Sequence, residues 1–286
     1  MIDLHTHTRF SDGQYTPEEI VQKAYECNIN TLSITDHDTA NGVERAVKES
    51  KKTGINIISG IEISVQGSKE LHILGYGIKA DNSGLLEYAK NNNQNRKERR
   101  DKILNYLKEK GMNITLEDVQ RINNGKSSGR PHFARAIMEL GYTKTISEAF
   151  DNFLATPEFY EHIERPKPTP EKGIDMIKKA GGIAVLAHPY ILNLEYDKFN
   201  TLLESLIYYG LCGVECYYSK HTHSQMQEYY NIAKNHNLIV TKGSDFHGEI
   251  IKPDIKLGTG IDNSLVDIGI SDEEILYNLF NAIDKV

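Results

Sequence analysis

Short apolar runs alternate with stretches of helical periodicity along most of this chain. "MIDL", "TLSIT", "INIISGI", "LHILGYGI", "GGIAVLA", "LCGVE" and "LIVTKG" are continuous and mainly apolar. Runs of this length predict buried strands. Amphipathic helices lie between several of them. "TPEEIVQKAYECN" offers Thr16 as N-cap, Pro17 at the first helical position and acids in the first turn. "TPEKGIDMIKKAGG" repeats that opening and ends on glycines. "SQMQEYYNIAKNHN" precedes the last long apolar run. Strands alternating with helices predict parallel strands joined by crossover helices, an α/β body.

Residues 83–165 break the rhythm. "LLEYAKNNNQNRKERRDKILNYLKEKG", "TLEDVQRIN", "HFARAIMELG" and "ISEAFDNFLA" all read as helices. The block holds 14 Lys+Arg against 12 Asp+Glu, so the remainder carries −9 of a net charge of −7. The expected organisation is a barrel from residues 1–82 and 166–286, with 83–165 a helical insertion that contributes to substrate binding.

Composition narrows the class. The 286 residues suffice for a large α/β domain. No run approaches the roughly 18 apolar residues of a membrane span, and no basic-then-apolar leader opens the chain. Cys27, Cys212 and Cys216 are odd in number and form no CxxC. They read as reduced core thiols of a cytoplasmic protein, Cys212 and Cys216 on one face of one strand. The negative charge argues against a protein that coats nucleic acid generally, and leaves room for a small phosphorylated substrate in a locally positive pocket. Neither a membrane nor a stable protein partner is implied.

The candidate chemistry sits where the apolar runs end. His5 and His7 follow "IDL", Asp36 and His37 follow "LSIT", and Glu62 follows "IISGI". His72 lies in "LHILGY", His188 follows "IAVLA", Glu215 follows "CGV", and Asp245 and His247 follow "LIVTKGS". In a closed parallel barrel, the C-terminal strand ends are where catalytic residues gather. Side chains alternate along a strand, so His5-x-His7 and Asp245-x-His247 would each put two ligands on one face. Barrel closure would bring these two pairs together. Of Asp36 and His37, adjacent and hence opposed, His37 is the expected ligand and Asp36 a residue behind the ligands that orients one of them.

"DLHTHTRFSDG", "ITDHDT", "GIEIS", "HILGY", "LAHP" and "GSDFHG" resemble the successive motifs of the PHP (polymerase and histidinol phosphatase) superfamily, over essentially the whole chain. The resemblance implies a distorted (β/α)7 barrel and a metal-dependent phosphoesterase with a trinuclear centre. It implies that His5, His7, Glu62 and Asp245 hold one ion. Glu62 would bridge to a second ion, completed by His72 and His188, and Asp12, His37 and His247 would hold the third. The form "SDG" and the stretch "GRPHFARAIMELGY…EAFDNFL" resemble the bacterial branch of nucleoside 3′,5′-bisphosphate phosphatases and RNase AM-type 5′-to-3′ exoribonucleases. The "SK" before His221, where relatives often have "PS", departs from that branch in a loop.

Mixed imidazole and carboxylate ligands suit two to three Mn, Fe or Zn ions. The implied nucleophile is a metal-bound hydroxide beside Glu62; no general acid is assigned. Phosphoryl transfer also calls for cationic side chains. Arg130, His132 and Arg135 in "GRPHFAR" follow the glycine-rich "NNGKSSG" and open a helix, a geometry suited to anions. Arg96 and Arg99 are one turn apart on a net-positive helix, and His221 and Glu215 stand near the end of the penultimate strand. His162, His223 and His236 read as surface residues. Two rival expectations are a cyclic-phosphate or sugar-phosphate (histidinol-phosphate-like) phosphoesterase, and a non-catalytic metal-binding module.

Overall fold

β1 (Ile2–Thr6) is buried along its whole length, as its apolar run predicts, and it is the first of seven strands that hydrogen-bond in chain order. The computed structural model describes residues 1–67, 70–122, 129–163, 166–266 and 268–286. α1 (Pro17–Glu26) leads from β1 to β2 (Thr31–Ile34), and α2 (Val43–Thr53) leads on to β3 (Asn56–Ser64). Thr16 caps α1 by accepting from the Glu19 N–H, while the Glu19 side chain returns to the Thr16 N–H. β1, β2 and β3 are parallel.

β4 (His72–Tyr76) reverses the pattern, running antiparallel to both β3 and β5 (Ile183–Leu186). This corrects the all-parallel expectation. The link from Ser64 to His72 is too short for a crossover, which needs about a dozen residues or more, so the chain turns back as a hairpin. His72 therefore stands at the beginning of its strand, and the reversal puts that beginning beside Ser64, at the end of β3.

α3 (Ser83–Glu109), α4 (Leu116–Ile122), α5 (Arg130–Glu139), α6 (Ile146–Ala149) and α7 (Pro157–His162) follow, with a π-helical turn at Phe150–Leu154 between the last two. α8 (Pro170–Lys179) precedes β5, α9 (Tyr196–Tyr209) leads to β6 (Leu211–Tyr218), and α10 (His223–Asn235) leads to β7 (Ile239–Gly243). β5, β6 and β7 are parallel, and α11 (Asp272–Ile283) follows. The sheet closes just beyond β7: the Asp245 N–H donates to His5 O and the His7 N–H to Phe246 O, both at 2.9 Å. The result is the distorted seven-stranded α/β barrel.

Two compact units are present, residues 1–89 with 167–286 and residues 90–166. In the first, Leu4, Leu32, Ile61, Leu74 and Val214 are wholly buried between strands and helices, each contributing about 1.5–3 kcal/mol through loss of apolar surface to water. In the second, Leu107, Phe133, Ile137, Leu154 and Phe159 form a separate core. Among the described residues no helix is long and apolar enough to cross a membrane. The cysteines are free. Cys216 is buried and Cys212 half-buried, but Cys27 is exposed. It caps the end of α1, so its place in the core is a misreading.

Candidate metal centre

β1 delivers His5 from its buried length, and His7 follows one residue past its end. Asp12 comes from the turn after β1, His37 from the loop after β2, and Glu62 from within β3. His72 opens β4, and His188 follows β5 with its backbone at φ +27°. Asp245 and His247 lie in the loop after β7, and Asp245 is at φ +58°. The alternation of a strand therefore does not pair them, contrary to the expectation. The bridges that close the barrel bring them to β1 instead. Left-handed backbone is costly for non-glycine residues and persists where surrounding structure enforces it.

Four overlapping groups of metal-competent side chains result: His7, Asp12, His37 and His247; His5, His7 and Asp245; His5, Glu62 and His188; and His37, Glu62 and His72. Glu62 is at their centre and wholly buried. Its Oε1 lies 2.9 Å from His72 Nδ1 and 2.9 Å from His188 Nε2. Its Oε2 lies 3.0 Å from His37 Nδ1, and 3.3 Å from both His5 Nε2 and His7 Nε2. Asp245 Oδ1 is 3.2 Å from His7 Nε2 and 3.7 Å from His5 Nε2. Asp12 Oδ1 is 3.3 Å from His247 Nε2, and its Oδ2 is 3.8 Å from His37 Nε2.

These separations suit shared ions. A tetrahedral ion with ligands at about 2.1 Å sets those ligands about 3.4 Å apart. Asp12 Oδ1, His37 Nδ1 and Glu62 Oε2 are buried with no hydrogen-bond partner, a costly condition that a cation relieves. The outer nitrogens fix two tautomers. His5 Nδ1–H donates to Glu215 Oε1 at 2.8 Å and His247 Nδ1–H to Asp245 O at 2.9 Å. Each Nε2 lone pair then faces the cluster.

Buried acids hold the frame. Glu215 Oε2 also accepts the His188 N–H at 2.8 Å. Asp36 accepts from the Thr8 N–H, the Thr8 hydroxyl and the Ser11 hydroxyl at 2.6–2.7 Å, fastening the turn that carries Asp12. Sequence reasoning missed four further supports. Asp3 accepts from the Ser244 N–H and hydroxyl and from the Gly258 N–H. Asp38 accepts from the Ser64 N–H and the Tyr88 hydroxyl. Tyr218 and Lys252 both donate to Asp245 Oδ2, at 3.1 and 2.6 Å. Asp3 and Asp38 lie within the quoted motifs "DLHTHTRFSDG" and "ITDHDT", but nothing in the spacing singles out Tyr218 or Lys252.

Burial disfavours charge throughout the cluster, and the neighbours decide each outcome. Around His5 burial is outweighed by Glu215 and Glu62, which raise it well above the ordinary histidine value. The carboxylates of Asp245 and Glu62 beside it likewise overcome burial and raise His7 to about 9. Burial wins at His37, pulling it to about 3, and it also lowers His247. Against burial, Glu62 is held well below the usual range by His37, His72 and His5. Asp12 is lowered by His37 and His247, and Asp245 by Lys252 and His247.

His221 is not in any of the four groups. Its Nδ1–H donates to Cys216 O at 2.8 Å, its Nε2 is buried without a partner, and burial draws it down to about 4. In the second unit Arg130 opens α5, with its Nη1 donating to the Tyr160 hydroxyl at 2.6 Å and its guanidinium over that ring. His132 Nδ1 accepts the Gly129 N–H, and Arg135 pairs with Glu139 one turn on. Arg96 and Arg99 lie half-buried on α3. The loop expected to cradle an anion falls, at residues 123–128, outside the described residues.

The chain is 33% identical over 248 residues to the 5′-3′ exoribonuclease Rnm of Escherichia coli, covering 86% of this chain and 84% of that protein. It is 32% identical over 252 residues to the 3′,5′-nucleoside bisphosphate phosphatase of Chromobacterium violaceum, covering 86% and 87%. The solved structure of an amidohydrolase from Chromobacterium violaceum, with bound sulfate and no metal, is similar at a TM-score of 0.75 and 30% identity, over 86% of this chain and 87% of that one. The PHP domain model matches residues 3–257, and the chain belongs to the PHP family.

Proposed function

We propose that this protein is a metal-dependent phosphoesterase that hydrolyses nucleoside 3′,5′-bisphosphates or 5′-phosphorylated short oligonucleotides. One observation carries the reading: the two oxygens of Glu62 face two different sets of histidines, with Asp245 and Asp12 completing the surroundings. The names of the two curated relatives, which act on a nucleotide and on RNA, support the substrate class. The residues fit two to three Mn, Fe or Zn ions. His5, His7, Glu62 and Asp245 would hold one, Glu62, His72 and His188 a second, and Asp12, His37 and His247 a third. Bound there, such ions supply Lewis-acid charge and an activated water to phosphate-ester hydrolysis.

The chain's own part is positioning and charge. Glu215 keeps the His5 and His188 segments in register with one another. Asp36 fixes the turn that presents Asp12. Arg130 is our candidate for the non-reacting phosphate, because a guanidinium matches phosphate oxygens bidentately. His221 Nε2, a buried acceptor, suits a hydroxyl of the substrate. Arg96, Arg99, His132 and Arg135 are weaker candidates, and the Arg135–Glu139 pair is an ordinary exposed one-turn contact.

A phosphate-release assay tests the proposal. The purified protein is incubated with Mn, Fe or Zn and a nucleoside 3′,5′-bisphosphate, a 5′-phosphorylated trinucleotide, a ribose cyclic phosphate or histidinol phosphate. The first two should turn over fastest. Preference for either of the last two would move the substrate class, and no turnover under any metal would overturn the assignment.

A further inference from the structure

Lys252 lies outside the ligand groups, yet its Nζ is 2.6 Å from Asp245 Oδ2. The Tyr218 hydroxyl donates to the same oxygen at 3.1 Å. Asp245 Oδ1 is turned the other way, 3.2 Å from His7 Nε2 and 3.3 Å from His247 Nδ1. The two carboxylate oxygens thus have separate tasks. We propose that Lys252 is a positioning residue for metal binding: with Tyr218 it fixes the outer oxygen of Asp245, so that Oδ1 alone is presented to the ion. This rests on the metal-centre reading above.

The segment after β7 is built to return this lysine. Gly248, at φ +102°, starts a tight turn, and a Cβ there would come within 2.3 Å of Gln14 Cβ. The N–H groups of Ile251 and Lys252 both donate to Gly248 O, at 3.1 and 2.9 Å. The Ile250 N–H donates to Gln14 Oε1 at 2.9 Å. Glu249 accepts from the Tyr15 hydroxyl and pairs with Lys23 at 2.9 Å. Pro253 follows and stiffens the exit. Lys252 is therefore presented by a fastened reversal, and its partner Asp245 is only 5% exposed. A charge-assisted hydrogen bond in such surroundings is stronger than a surface ion pair.

Loss of an outer partner of a metal ligand weakens metal binding about 10- to 100-fold. The test is a calorimetric titration of Mn(II) into the metal-free full chain as wild type, Lys252→Met and Lys252→Arg, with melting temperatures recorded alongside. The methionine variant should bind Mn(II) about 10- to 100-fold more weakly, and the arginine variant should recover most of the loss. Unchanged affinity in Lys252→Met overturns the proposal. So does an equal loss in both variants with a matching fall in melting temperature, which would make Lys252 a loop fastener. Wild-type protein that takes up none of Mn(II), Fe(II) and Zn(II) would overturn the metal-centre reading, and this inference with it.

Discussion

Both oxygens of Glu62 face histidine nitrogens, but different ones, so neutralising this carboxylate disturbs two groups of ligands together. Glu62→Gln should lower kcat/KM on the order of 10³-fold or more, the scale of several kcal/mol of lost charge stabilisation. Asp12→Asn, at the half-buried edge, should retain more activity; steady-state kinetics at saturating Mn(II) compares them, and near-normal turnover in Glu62→Gln contradicts the bridging role. Protonation is the second consequence at this scale. His7 is raised from 6.5 to about 9 in the metal-free protein, while a metal ligand must be neutral. Its contribution to metal-free stability is therefore fully present below pH 6.5 and is lost as pH rises through about 9. Mn(II) affinity should run the opposite way and tighten across that window, with protons released on binding; titration calorimetry in buffers of different ionisation enthalpy measures this, and a pH-independent affinity contradicts it. Eight of the nine ligand candidates stood out because their residue types recur in or beside apolar runs, whereas Asp12 entered only through the resemblance of "SDG" to the PHP motifs. Lys252 was not, because its approach to Asp245 depends on a turn whose geometry no periodicity encodes.

β7 and β1 come together closely enough to leave no room for a side chain at Gly243. A Cβ there would lie 2.2 Å from His5 Cβ and 2.8 Å from Glu215 Oε1. Gly243→Ala should destabilise the protein by about 1–3 kcal/mol through overpacking and also weaken metal binding, because the displaced atoms belong to His5 and its orienting acid. Denaturant unfolding with and without Mn(II) checks both, and wild-type values for both would show that the strands can move apart. The order of strands and helices was readable from alternating apolar runs and capping signals such as Thr16-Pro17. The direction of β4 was not read, although the shortness of the Ser64–His72 link held the signal. Pattern sets which residues are buried in a strand but is blind to which way the strand runs; only the length of the connection decides that. The same blindness placed Asp245 and His247 on a strand, when they lie in the loop beyond Gly243.

At the scale of the whole molecule, the barrel carries the ligand candidates and residues 90–166 form a unit with a core of its own. The change from strand-helix alternation to helices alone made this block visible in the sequence, along with its relative excess of basic residues. What the block recognises was not legible, since an arginine at a helix start serves equally well as a solvated residue. Arg130→Ala decides it by kinetics. A lost contact to a non-reacting phosphate should lower kcat/KM about ten- to a hundredfold for a 3′,5′-bisphosphate, the scale of roughly 1.5–3 kcal/mol, and less for a monophosphate. No loss with either would remove Arg130 from substrate recognition. Everything in the proposed chemistry rests on whether Glu62 and the eight side chains around it bind metal. Elemental analysis of the gently purified protein tests that most directly. We predict two to three Mn, Fe or Zn ions per chain, with at least one lost in Glu62→Gln; a protein that carries less than one and takes up none of the three would contradict it.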